Sequence, residues 1–67
     1  MRLDLLATCN AGDCPAVYAD DDSADLVVQG YPLNDSVAGV TVPSGESLVR
    51  IPRSVFIEAA ARLTGGS

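Results

Sequence analysis

The chain has 67 residues, 48% of them hydrophobic, with a net charge of −5 and an isoelectric point near 4.1. A chain of this length forms one small domain that buries only about 60% of its unfolded surface, so its core is marginal. The hydrophobic share argues against intrinsic disorder, and the acidic balance disfavours binding to nucleic acids or anionic membranes. We therefore expect a folded domain that gains stability from a partner, a metal, a disulfide or self-association.

The N-terminal segment Met1–Thr8 is too short and too interrupted by charge for a signal peptide, and no apolar run approaches about 18 residues. We expect a cytoplasmic protein. All four basic residues are arginine, and the chain has no lysine. This usage is typical of GC-rich genomes, so we expect a bacterial, actinobacterial source.

The first predicted strand runs from Arg2 to Thr8. An extended segment with this sequence places Leu3, Leu5 and Ala7 on one face. Turn-forming residues fill Asn10 to Pro15, so the strand is expected to end before them.

A hairpin is predicted next, from strands at Ala16–Ala19 and within Asp25–Leu33. The intervening residues 20–24 are Asp, Ser and Ala, and Asp and Ser favour a loop because their side chains bond the nearby backbone. Gly30 marks a bulge or the end of regular pairing, and Pro32 lacks the donor that a central strand requires.

The middle of the chain carries the weakest pattern. Asp35 is suited to cap one helical turn that Gly39 ends. Residues 40–42 are predicted to be extended, and residues 43–46, Pro-Ser-Gly-Glu, to form a turn.

A strand followed directly by a helix is predicted from Leu48 to Leu63, because the apolar period changes from two to 3.6 at Pro52. Proline suits the first helical position, where its missing N–H has no partner. The helix, Pro52 to Leu63, has an apolar stripe expected to cover the sheet with Phe56 as its main anchor. Its members are Pro52, Val55, Phe56, Ala59, Ala60 and Leu63.

These elements predict an α+β fold, a small antiparallel sheet of three or four strands covered on one face by a single C-terminal helix. The domain is expected to span residues 1–63, with residues 64–67 as a flexible tail.

Cys9 and Cys14 are the one group of residues in the sequence with possible metal-binding or redox chemistry. We interpret them as ordinary thiols, with a zinc site or a disulfide as open alternatives. A closed zinc site prefers four ligands, and the chain has no histidine and no third cysteine. Such a site would need Asp13, Asp4 or a second chain.

The run Asp20–Asp22 with Asp25 lacks the ligand spacing, central glycine and terminal glutamate of an EF-hand, so we interpret it as a solvated loop. No nucleophile–base arrangement indicates an enzyme, and Ser44 is more simply a turn residue. No catalytic residue and no cofactor is predicted.

Ile57 lies on the side of the predicted helix away from the apolar stripe, and Arg53 lies one turn before it. An exposed aliphatic side chain beside an arginine is typical of a partner-binding surface, although a single exposed aliphatic is also normal on any protein. Glu58 and Arg62, spaced i, i+4, are interpreted as solvent-facing support for the helix.

The order of elements is similar to that of small actinobacterial proteins of the BldB type, accessory partners of helix-turn-helix regulators. The similarity lies in Cys14, a short strand at Val17-Tyr18, an acidic turn, an apolar strand at Leu26–Val28 and an amphipathic C-terminal helix. The chain departs from that family in lacking its N-terminal tryptophan motif, in having Gln29-Gly30-Tyr31 in place of Arg-Asp-Ser, and in having Phe56 in place of tryptophan.

The sequence thus predicts a non-enzymatic protein–protein interaction module, and the resemblance implies an accessory partner of a transcriptional regulator. A homodimer is possible within this interpretation. The alternative is a small metalloprotein with an interchain zinc site at Cys9 and Cys14.

Overall fold

The computed structural model describes residues 1–9, 14–34 and 39–65. In these stretches the predicted α+β class is confirmed, although the strands divide between a three-stranded and a two-stranded antiparallel sheet. The elements are β1 (Leu3–Thr8), β2 (Ala16–Asp20), β3 (Leu26–Gln29), β4 (Tyr31–Leu33), β5 (Leu48–Arg50) and the helix α1 (Arg53–Leu63).

The larger sheet has the strand order β1-β2-β3, with the acidic residues 21–25 connecting the last two strands. Val17 lies opposite Val28, and Tyr18 lies opposite Val27. The predicted hairpin with a long loop is therefore confirmed.

None of the helical structure in the described residues has the length and apolar character required to cross a bilayer.

A bulge at Leu6 changes which face of the sheet each half of β1 occupies. Leu5 pairs with Tyr18, whereas Ala7 pairs with the next residue of β2, Val17. Cross-strand partners share a face and successive residues alternate, so Ala7 faces the helix side with Val17 while Leu5 faces the opposite side. The expectation that Leu5 and Ala7 share a face was wrong, because one extra residue reverses the alternation.

Gly30 separates β3 from β4, as predicted, and the chain there turns to pair with β5. Tyr31 lies opposite Arg50, and Pro32 lies opposite Val49. Pro32 therefore occupies a strand of a two-stranded sheet, where a missing donor is tolerated.

The connection between β4 and β5 contains one well-defined turn. The Glu46 N–H donates to the Pro43 carbonyl at 3.1 Å, and Gly45 has a φ of 91°, so the predicted turn at residues 43–46 is confirmed. Residues 40–42, predicted to be extended, belong to none of the described strands. The helical turn predicted at residues 35–38 lies outside the described residues.

Helix α1 begins one residue later than predicted, with Pro52 as its N-cap at ψ 144°. At the C-terminal end the Thr64 N–H donates to the Ala60 carbonyl at 3.1 Å, and the Gly65 N–H donates to the Arg62 carbonyl at 3.4 Å. Gly65 adopts a φ of 71°, the left-handed conformation that commonly closes helices. Thr64 and Gly65 thus form the helix end, and the last two residues of the expected tail lie outside the described part.

The core consists of small side chains where α1 crosses β1 and β2. It is formed by Ala7, Val17, Val55 and Ala59, with Leu6 and Ile51 packed against it. Phe56 is 63% exposed, so the expectation that it anchors the helix was wrong. The helix packs on the line through Val55 and Ala59, and Phe56 lies about 100° around the helix from Val55.

Alanine substitutions at Val55 and at Phe56 compare the buried side of α1 with its exposed side. Val55→Ala is expected to lower the free energy of unfolding by about 1.5–3 kcal/mol, because a buried side chain is lost from a small core. Phe56→Ala is expected to change it by no more than about 1 kcal/mol, since most of the ring is already in water. Urea unfolding followed by circular dichroism measures both, and a larger loss for Phe56→Ala would contradict the observed packing.

Gly30→Ala is expected to destabilise the fold for a steric reason. An added Cβ would lie 2.8 Å from the Arg50 carbonyl oxygen, 2.8 Å from Ile51 Cγ2 and 3.1 Å from Val49 Cβ. The Arg50 oxygen belongs to the backbone and cannot rotate away. The segment at Gly30 and the segment at Arg50 must therefore move apart where the smaller sheet begins. A lower urea midpoint measures this cost, and an unchanged midpoint would contradict the close approach of the two segments.

Candidate partner-binding surface

Cys9 and Cys14 are joined as a disulfide, with 5.6 Å between their Cα atoms. This separation is ordinary for a disulfide. The interpretation of two unpaired thiols is therefore corrected in favour of the disulfide, which the sequence had left open. Of the two proposed additional ligands, Asp4 forms an ion pair with Arg2 at 3.5 Å, and Asp13 lies outside the described residues. Within the described ranges, no group of three or more His, Cys, Asp or Glu side chains is placed to hold a metal ion.

The acidic loop after β2 uses its oxygens to order its own backbone. Asp20 Oδ1 accepts a hydrogen bond from the Asp22 N–H at 2.9 Å, and Asp20 Oδ2 accepts one from the Ser23 hydroxyl at 2.9 Å. Ser23 Oγ in turn accepts from the Asp25 N–H at 3.1 Å. Asp22 pairs with the N-terminal ammonium at 3.2 Å. These contacts support the interpretation of a solvated hairpin loop.

The exposed side of α1 carries four apolar residues that share one face, which we call the α1 stripe. It differs from the apolar stripe predicted from the sequence, because it excludes the buried Val55 and Ala59 and includes Ile57. The four positions follow the i, i+1, i+4, i+7 spacing, and at about 100° per residue they lie within roughly 120° of the helix circumference. Their exposures are large for apolar side chains, about one half to two thirds for the three biggest. The stripe consists of Phe56 (63% exposed), Ile57 (66%), Ala60 and Leu63 (50%).

Both residues predicted to bind a partner lie at this surface. Ile57 belongs to the α1 stripe, and Arg53, also exposed, lies one turn before it on the same side of the helix. The exposure of Phe56 was not predicted from the sequence. A usable signal was the run Val55-Phe56-Ile57, because three consecutive apolar residues span about 200° of the helix and one sheet cannot cover so wide a face.

Arg53 is the charged residue of this face. In the described part of the chain, the ion pairs are those of Met1 with Asp22 and of Arg2 with Asp4, so Arg53 takes part in none. Glu58 and Arg62 are exposed on the other side of the helix, as predicted, but no ion pair joins them there. The side of α1 that carries the stripe therefore presents apolar surface and the positive charge of Arg53, and Glu58 does not lie on it.

Charge is distributed unevenly along the chain. Residues 47–67 contain three of the four arginines and one acidic residue, Glu58, whereas residues 1–46 contain the other eight acidic residues and one arginine. The segment that includes α1 is thus locally positive in a protein of net charge −5. Along the sequence, most of the negative charge therefore lies outside the segment that contains the α1 stripe.

The molecule exposes more surface than a monomer of its size normally does. Its accessible surface is 5109 Å², against about 4,000 Å² expected from the scaling for 6.9 kDa. Its radius of gyration is 13.1 Å, against about 11 Å expected for 67 residues. The chain is therefore less compact than an average globular protein of its length.

A shallow depression lies beside the N-terminal end of α1. It has a volume of about 260 Å³ and is lined by Tyr31, Arg50, Ile51 and Pro52. Pockets for small-molecule ligands usually have about 300–1,000 Å³. Tyr31 is half exposed, so this depression extends the apolar surface of the helix end and is smaller than a typical ligand pocket.

Comparison with protein-family models, with curated proteins and with solved structures gave no match for the chain. The similarity to the BldB type stays a prediction.

Loss of the disulfide is expected to weaken the fold without abolishing it. Neither sulfur belongs to the core, and the bridge closes a short loop, for which the chain-entropy model gives about 2–3 kcal/mol. The Cys9→Ser, Cys14→Ser double variant should therefore keep its circular dichroism spectrum and unfold at a lower urea concentration. Titration of thiols in protein unfolded without reductant is the second measurement, and two free thiols per chain would contradict the bridge.

Proposed function

We propose that this chain is a non-enzymatic interaction module that binds another protein through the α1 stripe. One observation carries the proposal: three large apolar side chains, Phe56, Ile57 and Leu63, share a helix face and are each at least half exposed. Scattered exposed aliphatic residues are normal, but a continuous apolar face indicates an interaction site.

The physical advantage of binding at this face is the removal of apolar surface from water. Burying a side chain such as Phe, Ile or Leu contributes about 1.5–3 kcal/mol for each that is fully covered. An aromatic ring and an arginine are the residue types that interfaces favour, and Phe56 and Arg53 lie one turn apart. An amphipathic helix that places i, i+4 and i+7 anchors in a groove is a common recognition mode.

The class of partner follows from the resemblance to the BldB type, which implies a transcriptional regulator with a helix-turn-helix domain. The acidic residues 20–25 lie outside the α1 stripe and offer a second, electrostatic contact to a basic protein. Such complementarity mainly accelerates association. The cytoplasmic location expected from the sequence is part of this proposal.

Affinity capture from the native cell tests the module, with Ile57→Glu as the variant and Arg62→Gln as its control. Both substitutions lower the net charge by one, but Ile57 lies in the α1 stripe and Arg62 on the other side of the helix. We expect wild type and Arg62→Gln to recover the same partner chains, which Ile57→Glu loses because a carboxylate in an apolar contact is left desolvated.

Circular dichroism of each variant establishes that the fold is kept, since Ile57 is exposed. Recovery of the same chains by all three proteins would show that the α1 stripe does not bind them. Recovery of no chain other than the protein itself by wild type would contradict a stable complex with a different protein.

A further inference from the structure

We infer that the α1 stripe binds a second copy of this chain, with two α1 helices packed antiparallel across a two-fold axis. The inference rests on the proposed function, because it concerns the same surface, and it adds that a second copy occupies the α1 stripe when no other partner is bound. It concerns the chain by itself, so it is tested with purified protein and does not depend on finding another partner.

The layout of the stripe suits a symmetric contact. Ala60 lies between its larger residues, with Phe56 and Ile57 on the N-terminal side and Leu63 on the C-terminal side. A two-fold axis beside Ala60 places Ile57 of one copy against Leu63 of the other, twice. Because alanine has only a methyl group, the two helices can approach at the short end of the usual 8–10 Å range.

The charge of Arg53 selects the antiparallel direction. Arg53 is in the first turn of α1, where the positive end of the helix dipole disfavours a cation, and the first turn contains no acidic residue. In an antiparallel pair, each Arg53 lies near the C-terminal end of the other helix, where the dipole favours a cation. A parallel pair would bring the two Arg53 side chains together.

Residues 47–67 of each copy carry three arginines and one glutamate, and among these Arg53 is the one that lies on the contacting side of the helix. No carboxylate belongs to the α1 stripe, and eight of the nine acidic residues come before residue 47. Because α1 is only about 16 Å long, the contact is at the small end of specific interfaces, and we expect a dissociation constant in the micromolar range or weaker.

A second apolar surface offers a control. Leu5 is 52% exposed on the face of the larger sheet opposite α1, where it pairs with Tyr18. A dimer formed through that face would involve β1 and leave the α1 stripe open. Leu5→Glu and Ile57→Glu therefore distinguish the two faces with the same introduced side chain.

Sedimentation equilibrium from about 5 µM to about 500 µM measures the self-association. We expect a monomer–dimer equilibrium for wild type, an unchanged one for Arg62→Gln and Leu5→Glu, and at least a tenfold weaker one for Ile57→Glu. A wild-type chain that stays monomeric over this range overturns the inference but leaves the proposed function to the capture experiment. A dimer lost in Leu5→Glu and kept in Ile57→Glu also overturns the inference.

Cross-linking in the Cys9→Ser, Cys14→Ser background tests the direction of the helices. A cysteine at Ala60 lies beside the two-fold axis, so Ala60→Cys is expected to form a covalent dimer under a mild oxidant such as copper phenanthroline. Arg53→Cys is expected to form little, because the antiparallel arrangement separates the two positions by about 21 Å along the helix axis, more than the length of α1. Efficient bridging of Arg53→Cys but not of Ala60→Cys would overturn the antiparallel dimer.

Discussion

The contact between α1 and the first two strands is the constraint on which the rest of the structure depends. Val55 and Ala59 of the helix meet Ala7 and Val17 of the sheet, and these four residues form the buried cluster. All are small, so the helix lies close to the sheet and little apolar surface is removed from water. A core of this size provides only a small surplus over the conformational entropy lost on folding, so the remaining contacts and any partner matter more than in a larger domain.

The same small core explains why large apolar side chains remain outside. A helix supported along one narrow line covers the sheet through about a quarter of its circumference, and Phe56, Ile57 and Leu63 lie beyond that line. The bulge at Leu6 has a similar effect on the sheet, because it directs Ala7 to the helix and leaves Leu5 on the opposite face. These two apolar surfaces therefore arise from the way the core is packed, and in both of them the side chains are held on regular secondary structure.

The acidic residues and the disulfide serve local structure in the described part of the chain. Asp20 organises the loop between β2 and β3 through both of its carboxylate oxygens, and the bridge from Cys9 to Cys14 joins the end of β1 to the segment that leads into β2. These contacts hold the ends of neighbouring strands together, and the residues that make them belong to none of the positions of the α1 stripe. This separation of charge lets an acidic protein present a helix face on which Arg53 is the charged residue.

The sequence by itself determined the class of fold, the hairpin loop, the end of β3 at Gly30 and the helix that follows Pro52, because turn chemistry and apolar period act over a few neighbouring residues. It also placed Arg53 and Ile57 at the surface. The face of Ala7 and the exposure of Phe56 were decided only by the tertiary structure. One bulged residue reverses the side-chain alternation of a strand, and the rotation of a helix on its sheet depends on the volumes of the residues that meet there. The pairing of Cys9 with Cys14 was likewise left open by the sequence, because only the folded backbone sets the distance between two cysteines.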